Sequence, residues 1–136
     1  MNANELRIGN FLKIGQEHES YNCLGKVIKW ELSNFYSLEK GYNNIEWFEP
    51  IPLTEEWLLK FGFEKVYDGN YKRYQINLLD TNIYLRPSLD KWYFGFVNNG
   101  QDCEINDCYE LEFLHEIQNL IFSLTRKELV LSDAVS

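Results

Sequence analysis

Residues Glu49 to Lys65, EPIPLTEEWLLKFGFEK, decide how the chain is divided. Pro50 and Pro52 hold the approach extended, because each disfavours a helical conformation in the residue before it. Thr54 is a good N-cap, and Glu55 and Glu56 then sit at the positive end of a helix dipole. Leu53 and Leu58 have the spacing of a hydrophobic staple. Gly62 suits a left-handed residue after the helix end, which turns Phe63 back towards Leu58. The stretch therefore predicts a helix from about Glu55 to Phe61, packed by Trp57, Leu58 and Phe61, between two β-rich segments. It holds no chemistry of its own.

Before this joint, Leu6 to Ile14 reads as a strand bent near Gly9-Asn10, with Leu6, Ile8, Leu12 and Ile14 of one parity. Gln16 to Asn22 is a polar loop. Gly25 to Leu32 reads as a second strand, Ser33-Asn34 as a turn, and Phe35 to Leu38 and Ile45 to Phe48 as two more. Short curved strands in this number suggest a small SH3-like antiparallel β-barrel, or a simple curved sheet, over residues 1–53. The connecting helix then spans 54–62.

Beyond it, Phe63–Tyr67, Tyr71–Leu79, Ile83–Arg86 and Trp92–Val97 read as strands. They are separated by turns at Asp68-Gly69-Asn70, Asp80-Thr81-Asn82, Pro87-Ser88 and Asn98-Asn99-Gly100. Within the second strand Tyr74, Ile76 and Leu78 alternate with Arg73, Gln75 and Asn77. A last strand includes Tyr109 and Leu111. An amphipathic helix, about Glu112 to Leu124, then carries Phe113, Leu114, Ile117, Leu120, Ile121 and Leu124 on its apolar side. Thr125 to Glu128 has the form of a capping box for a further turn. The expected class is α+β: an antiparallel meander covered by a C-terminal helix over residues 63–131, with a frayed tail at 132–136.

Composition bounds the function classes. The chain has 136 residues and a formal net charge of −8, with an isoelectric point near 4.7. That balance argues against generic nucleic-acid binding, which needs clustered Lys and Arg. Three cysteines, Cys23, Cys103 and Cys108, lack metal spacing and read as reduced thiols. No apolar run approaches a membrane span, and MNANELRIGN lacks a signal core, so a cytoplasmic location without membrane partners is expected. Glycine-rich phosphate loops and the His-Glu-x-x-His motif are absent. His115 and Glu116 are adjacent on a helix and do not face each other, so they form no acid–base dyad. His115 is expected at the boundary of the buried helix face. No enzyme activity, cofactor or metal is expected.

Three blocks, NELRIGN at Asn4 to Asn10, PIPLTEEWLLKFGFEK at Pro50 to Lys65 and LHEIQNLIFSLTRKEL at Leu114 to Leu129, resemble a family of small proteins common in phages, prophages and mobile elements of Bacteroidetes. The resemblance spans the chain but brings no catalytic residues to carry over. Family members often read Thr-Gly-Glu-Glu-Leu near the end, where this chain has Thr125-Arg126-Lys127-Glu128-Leu129; the glycine is lost. The resemblance implies an accessory gene product that binds and modulates a host protein, such as a CRISPR-type nuclease or another defence factor.

Charge patterning supplies two candidate surfaces. Asp102, Glu104, Asp107, Glu110, Glu112 and Glu116 form an acidic segment free of Lys and Arg. Such runs are usually solvated faces, but one can steer a partner with a basic surface. The alternative uses Lys72, Arg73, Tyr74, Arg86 and Lys91 to stack and neutralise RNA or single-stranded nucleic acid. That reading requires the tyrosines to be exposed on the face that bears the cations.

Overall fold

In the computed structural model of the chain, Thr54 Oγ1 accepts from the Trp57 amide at 3.4 Å and starts helix α2, Glu55–Lys60. The Gly62 amide donates to the Leu59 carbonyl and the Phe63 amide to the Leu58 carbonyl, both at 3.0 Å. With Gly62 at φ +94°, this is a Schellman ending. It carries the chain out of α2 and into the strand that follows. The structure describes residues 1–15, 25–69, 71–78, 81–89, 91–98, 101–104 and 110–131. They fall into two compact units, Met1–Pro52 with Phe113–Leu120, and Leu53–Glu112 with Ile121–Ser136.

In the first unit, β1 (Phe11–Ile14) pairs antiparallel with β2 (Val27–Lys29) on one side and β3 (Phe48–Pro50) on the other. This is an open three-stranded sheet, and no closed barrel is formed among the described residues. The expected first strand is shorter than its apolar pattern suggested. Of Leu6 to Ile14 only Phe11–Ile14 is strand, and Ile8 is half exposed; a 3-10 turn, Ala3–Glu5, precedes the stretch. Gly9, at φ +102°, makes the reversal before β1.

The largest correction is at Phe35 to Leu38, expected as a strand. Leu32–Glu39 is helix α1. Ser33-Asn34 opens that helix rather than a turn, because Asn34 Oδ1 accepts from the Glu31 amide at 2.8 Å. Short polar side chains that bond nearby backbone suit helix starts as well as turns, and the local pattern favoured the wrong one. Leu32, expected on the strand face of Trp30, is 70% exposed. Trp30 itself is fully buried, edge-on to Phe35 and Phe48 with centroids 5.6 and 5.1 Å away. Around it Leu6, Leu12, Ile14 and Phe48 form the core, with Ile28, Phe35, Leu38, Ile45 and Trp47 packed against them. Ile45–Trp47 is a 3-10 turn leading into β3.

In the second unit β4 (Glu64–Asp68), β5 (Tyr71–Leu78), β6 (Thr81–Ser88), β7 (Lys91–Asn98) and β8 (Gln101–Glu104) form an antiparallel meander in that order. A short β9, Glu110–Leu111, also pairs with β7, beside Trp92 and Tyr93. Pro87 does not break β6 as expected; it lies in the strand opposite Trp92. The reversal comes at Leu89, which takes φ +52°. Asn70, Asp80, Asn99 and Gly100 of the expected turns, the expected loop 16–22 and tail 132–136, and Cys23, Leu79, Cys108 and Tyr109 lie outside the described residues.

Helix α3 runs from Leu114 to Thr125, its first residues belonging to the first unit and Ile121 onwards to the second. Thr125 ends it instead of capping a new one. Its hydroxyl donates to the Ile121 carbonyl at 2.8 Å and accepts from the Lys127 amide at 3.1 Å. Arg126 occupies the left-handed region at φ +61°.

Candidate interaction surface

The alternation read in β5 separates two chemically different faces of the meander. By register, Tyr74 lies opposite Leu85 and Leu85 opposite Phe94. All three are buried, with Ile83 and Trp92. Trp92 Nε1 donates to the Leu53 carbonyl at 2.9 Å. Tyr74 meets the Trp92 ring edge-on at 5.4 Å. This is the core face.

The other parity brings Arg73 of β5, Tyr84 and Arg86 of β6, and Lys91, Tyr93 and Gly95 of β7 to the opposite face. The pairs Gln75–Tyr84, Tyr84–Gly95, Arg86–Tyr93 and Ser88–Lys91 fix their positions. Tyr84 lies so close over Gly95 that a Cβ there would meet its ring at 2.4 to 2.7 Å. An aromatic side chain laid over a cross-strand glycine covers backbone that would otherwise be bare. On the other side of Tyr84, the Arg73 guanidinium stands 4.9 Å from the ring centroid, the geometry of a cation–π contact. Gly95, Tyr84 and Arg73 thus form a layered stack across three strands.

Beside the stack, Glu110 of β9 is held from two directions. Lys91 Nζ is 3.2 Å from one carboxylate oxygen, and the Tyr93 hydroxyl is 3.4 Å from the other. Asn77 donates to Asn82 Oδ1 at 3.0 Å across β5 and β6. The face is therefore polar, aromatic and of both signs.

The two surfaces drawn from the sequence fare unequally. Of the alternative set, Arg73, Arg86 and Lys91 share this face. Tyr74 does not, since it is 1% exposed on the core face and offers no ring for stacking a base. Lys72 has the parity of Tyr74. Tyr84 and Tyr93 lie on the side of the cations, but Tyr84 is only 4% exposed, which leaves the half-buried Tyr93 as the more accessible ring. Of the acidic segment, Asp102 and Glu104 lie in β8, in register with Val97 and Gly95, and Asp107 lies outside the described residues. Glu110 is engaged as above and Glu112 is exposed. Glu116 accepts from the Phe113 amide at 2.9 Å, which makes it a cap for the start of α3.

A second polar cluster lies in the first unit, where two blocks of the resemblance meet. Gln118 Nε2 donates to the Gly9 carbonyl at 3.0 Å, while its Oε1 accepts from the Phe11 amide at 2.9 Å. Asn119 Oδ1 accepts from Asn10 Nδ2 at 2.8 Å and from Arg7 Nε at 3.2 Å. Asn119 Nδ2 donates to the Glu5 carbonyl at 2.9 Å. Asn10 and Gln118 are fully buried. Their amides satisfy backbone groups around Gly9 that no sheet ladder reaches. This clasp is structural; each amide is spent on holding NELRIGN against α3. Sequence reasoning missed it because Gln118 and Asn119 fall on the polar side of an otherwise regular amphipathic pattern.

No group of three or more His, Cys, Asp or Glu among the described residues could hold a metal. None of their helices is long and apolar enough to cross a membrane. Compared with protein-family models, with curated proteins and with solved structures, the chain matches none.

Proposed function

We propose that this chain is a non-enzymatic binding protein whose partner is another protein, engaged by the polar face of the meander. The observation that carries the reading is the gathering of Arg73, Arg86 and Lys91 with Tyr93 and Glu110 on one face of β5, β6, β7 and β9, over the buried Tyr84. Tyrosine and arginine are the side chains most often found to dominate the binding energy of protein interfaces. They combine large contact area with directional hydrogen bonding, and the face is built on strands, which position them rigidly.

The mixture of signs favours a protein over a nucleic acid. Phosphate binding rewards cations without opposing charge, whereas here Lys91 is paired to Glu110. The buried positions of Tyr74 and Tyr84 also remove two rings that could have stacked bases. The resemblance to phage and mobile-element proteins makes a host defence factor, such as a CRISPR-type nuclease, the partner class of this proposal. Glu110 and the exposed Glu112 are the members of the acidic segment we assign to the contact.

The test is affinity capture from the native host with the wild-type chain and with Arg86→Glu/Tyr93→Ala, after confirming that the variant is folded. The reading expects one protein retained by the wild type and lost by the variant. Equal retention by both would overturn it. A mobility shift with short RNA at low salt would instead favour the nucleic-acid reading.

A further inference from the structure

The hairpin that joins β6 to β7 carries a residue suited neither to its backbone nor to its surroundings. The two strands pair as far as Ser88 and Lys91, so two residues make the connection, and Leu89 is the first of them. Two-residue hairpin loops need positive φ at that position, which is why Asn, Asp and Gly are preferred there. Leu89 takes φ +52°, where a bulky side chain crowds the backbone. Its relative exposure is 105%, so the side chain stands wholly in water. A lone exposed leucine is ordinary on a protein surface. One held in the left-handed region is not, because no burial of the side chain offsets the strain of the backbone.

Strain of this kind persists where a side chain is needed for function. The setting of Leu89 indicates which function. Arg86 lies three residues before it in β6, opposite Tyr93 of β7. At the rise of a strand, three residues span about 10 Å. Leu89, Arg86 and Tyr93 therefore fit within the footprint of one ordinary protein interface. The same two strands that carry Arg86 and Tyr93 hold the turn at the end of the polar face.

We infer that Leu89 is the apolar anchor of the contact made by that face, entering a leucine-sized apolar pocket on the protein partner about 10 Å from the group that meets Arg86. The inference rests on the reading of the polar face as a protein-binding surface. Burial of the leucine in the complex recovers what its exposure withholds from the free chain. The turn is already set before the partner arrives, so the anchor is presented without further ordering. The fold thus gives up stability at this turn in return for contact.

The test places a photoreactive residue at Tyr93 in the full chain, in cells of the native host, and compares the wild-type Leu89 with Leu89→Asn and Leu89→Met. Asn suits the turn but cannot fill an apolar pocket, whereas Met keeps an apolar side chain of similar volume. The adduct followed is the one that Arg86→Glu abolishes. It should form with Leu89 and with Leu89→Met and fall about tenfold or more in Leu89→Asn, although the urea midpoint of Leu89→Asn rises. An undiminished adduct in Leu89→Asn overturns the anchor and leaves the polar face as the binding surface. A midpoint that fails to rise also overturns it, since Leu89 would then be held by contacts within the chain. No adduct from the wild type overturns both. Sedimentation of the purified chain, alone and with vesicles of phosphatidylcholine and phosphatidylserine, addresses other occupants. Self-association or vesicle binding that Leu89→Asn removes would assign the leucine to a second copy or to a membrane, and overturns the inference.

Discussion

Asn10 and Asn119 stand 109 residues apart in sequence and are joined side chain to side chain at 2.8 Å. The bond is one of a set that closes the N-terminal segment onto α3, and Gln118 is its most demanding member. Gln118→Leu keeps the volume but strands the Gly9 carbonyl and the Phe11 amide. A buried backbone group left unpaired costs about 1–3 kcal/mol. Urea unfolding of this variant should show a loss of roughly 2–4 kcal/mol on that basis. A loss under about 0.5 kcal/mol, the range of ordinary surface changes, would mean that the clasp is ornamental.

Arg126 follows α3 at φ +61°, a backbone region that favours glycine. A non-glycine residue in that region is strained by about 1 kcal/mol or more. Arg126→Gly should therefore raise stability by about 1 kcal/mol, read as a higher urea midpoint with an unchanged slope. A lower midpoint would show that the arginine side chain contributes more than its backbone costs.

The contact of Tyr84 with Gly95 should appear as coupling. Gly95→Ala places a methyl into the ring, and overpacking of this kind costs about 1–3 kcal/mol. In a Tyr84→Leu background the same change should cost much less. A double-mutant cycle giving an interaction energy near zero would contradict the stacking geometry.

Tyr74 gives a pH prediction. Burial, and then its hydrogen bond to Glu55, raise its pKa above the ordinary tyrosine value. The unfolded chain ionises near pH 10, while the folded chain retains the proton. The stabilisation is thus fully present below about pH 10 and is lost as pH rises through the folded value. Unfolding free energy should fall more steeply above pH 10 for the wild type than for Tyr74→Phe. Parallel slopes would show that the hydroxyl is not protected.

The sequence made the second unit more legible than the first, and the reasons are physical. In β5 the period-two alternation of Tyr74 and Ile76 with Arg73 and Gln75 survives in the structure, since a sheet with one apolar face must show it. The caps of α2 are local, so Thr54 and Gly62 could be read directly. The first unit misled where local signals were ambiguous. Phe35, Tyr36 and Leu38 suit a strand by propensity, but packing of Phe35 and Leu38 against Trp30 and its neighbours prevails as a helix. Among the candidate site residues, residue type alone groups Lys72, Arg73, Tyr74, Arg86 and Lys91; the register puts Arg73, Arg86 and Lys91 on one face and Lys72 and Tyr74 on the other parity. What parity could not supply was the partner strand: neither the pairing of Glu110 with Lys91 and Tyr93 nor the fit of Tyr84 on Gly95 follows from spacing. Both depend on the register of β7 against β6 and β9.

The central claim, that the polar face of the meander binds a protein, is tested most directly by photocrosslinking from that face. A photoreactive residue at Tyr93, on the face, would be compared with one at Tyr36, which is exposed on α1, in cells of the native host. Tyr93 should yield a single protein adduct that Arg86→Glu abolishes, and Tyr36 should yield none. An adduct from Tyr36 alone, insensitive to Arg86→Glu, would contradict the account.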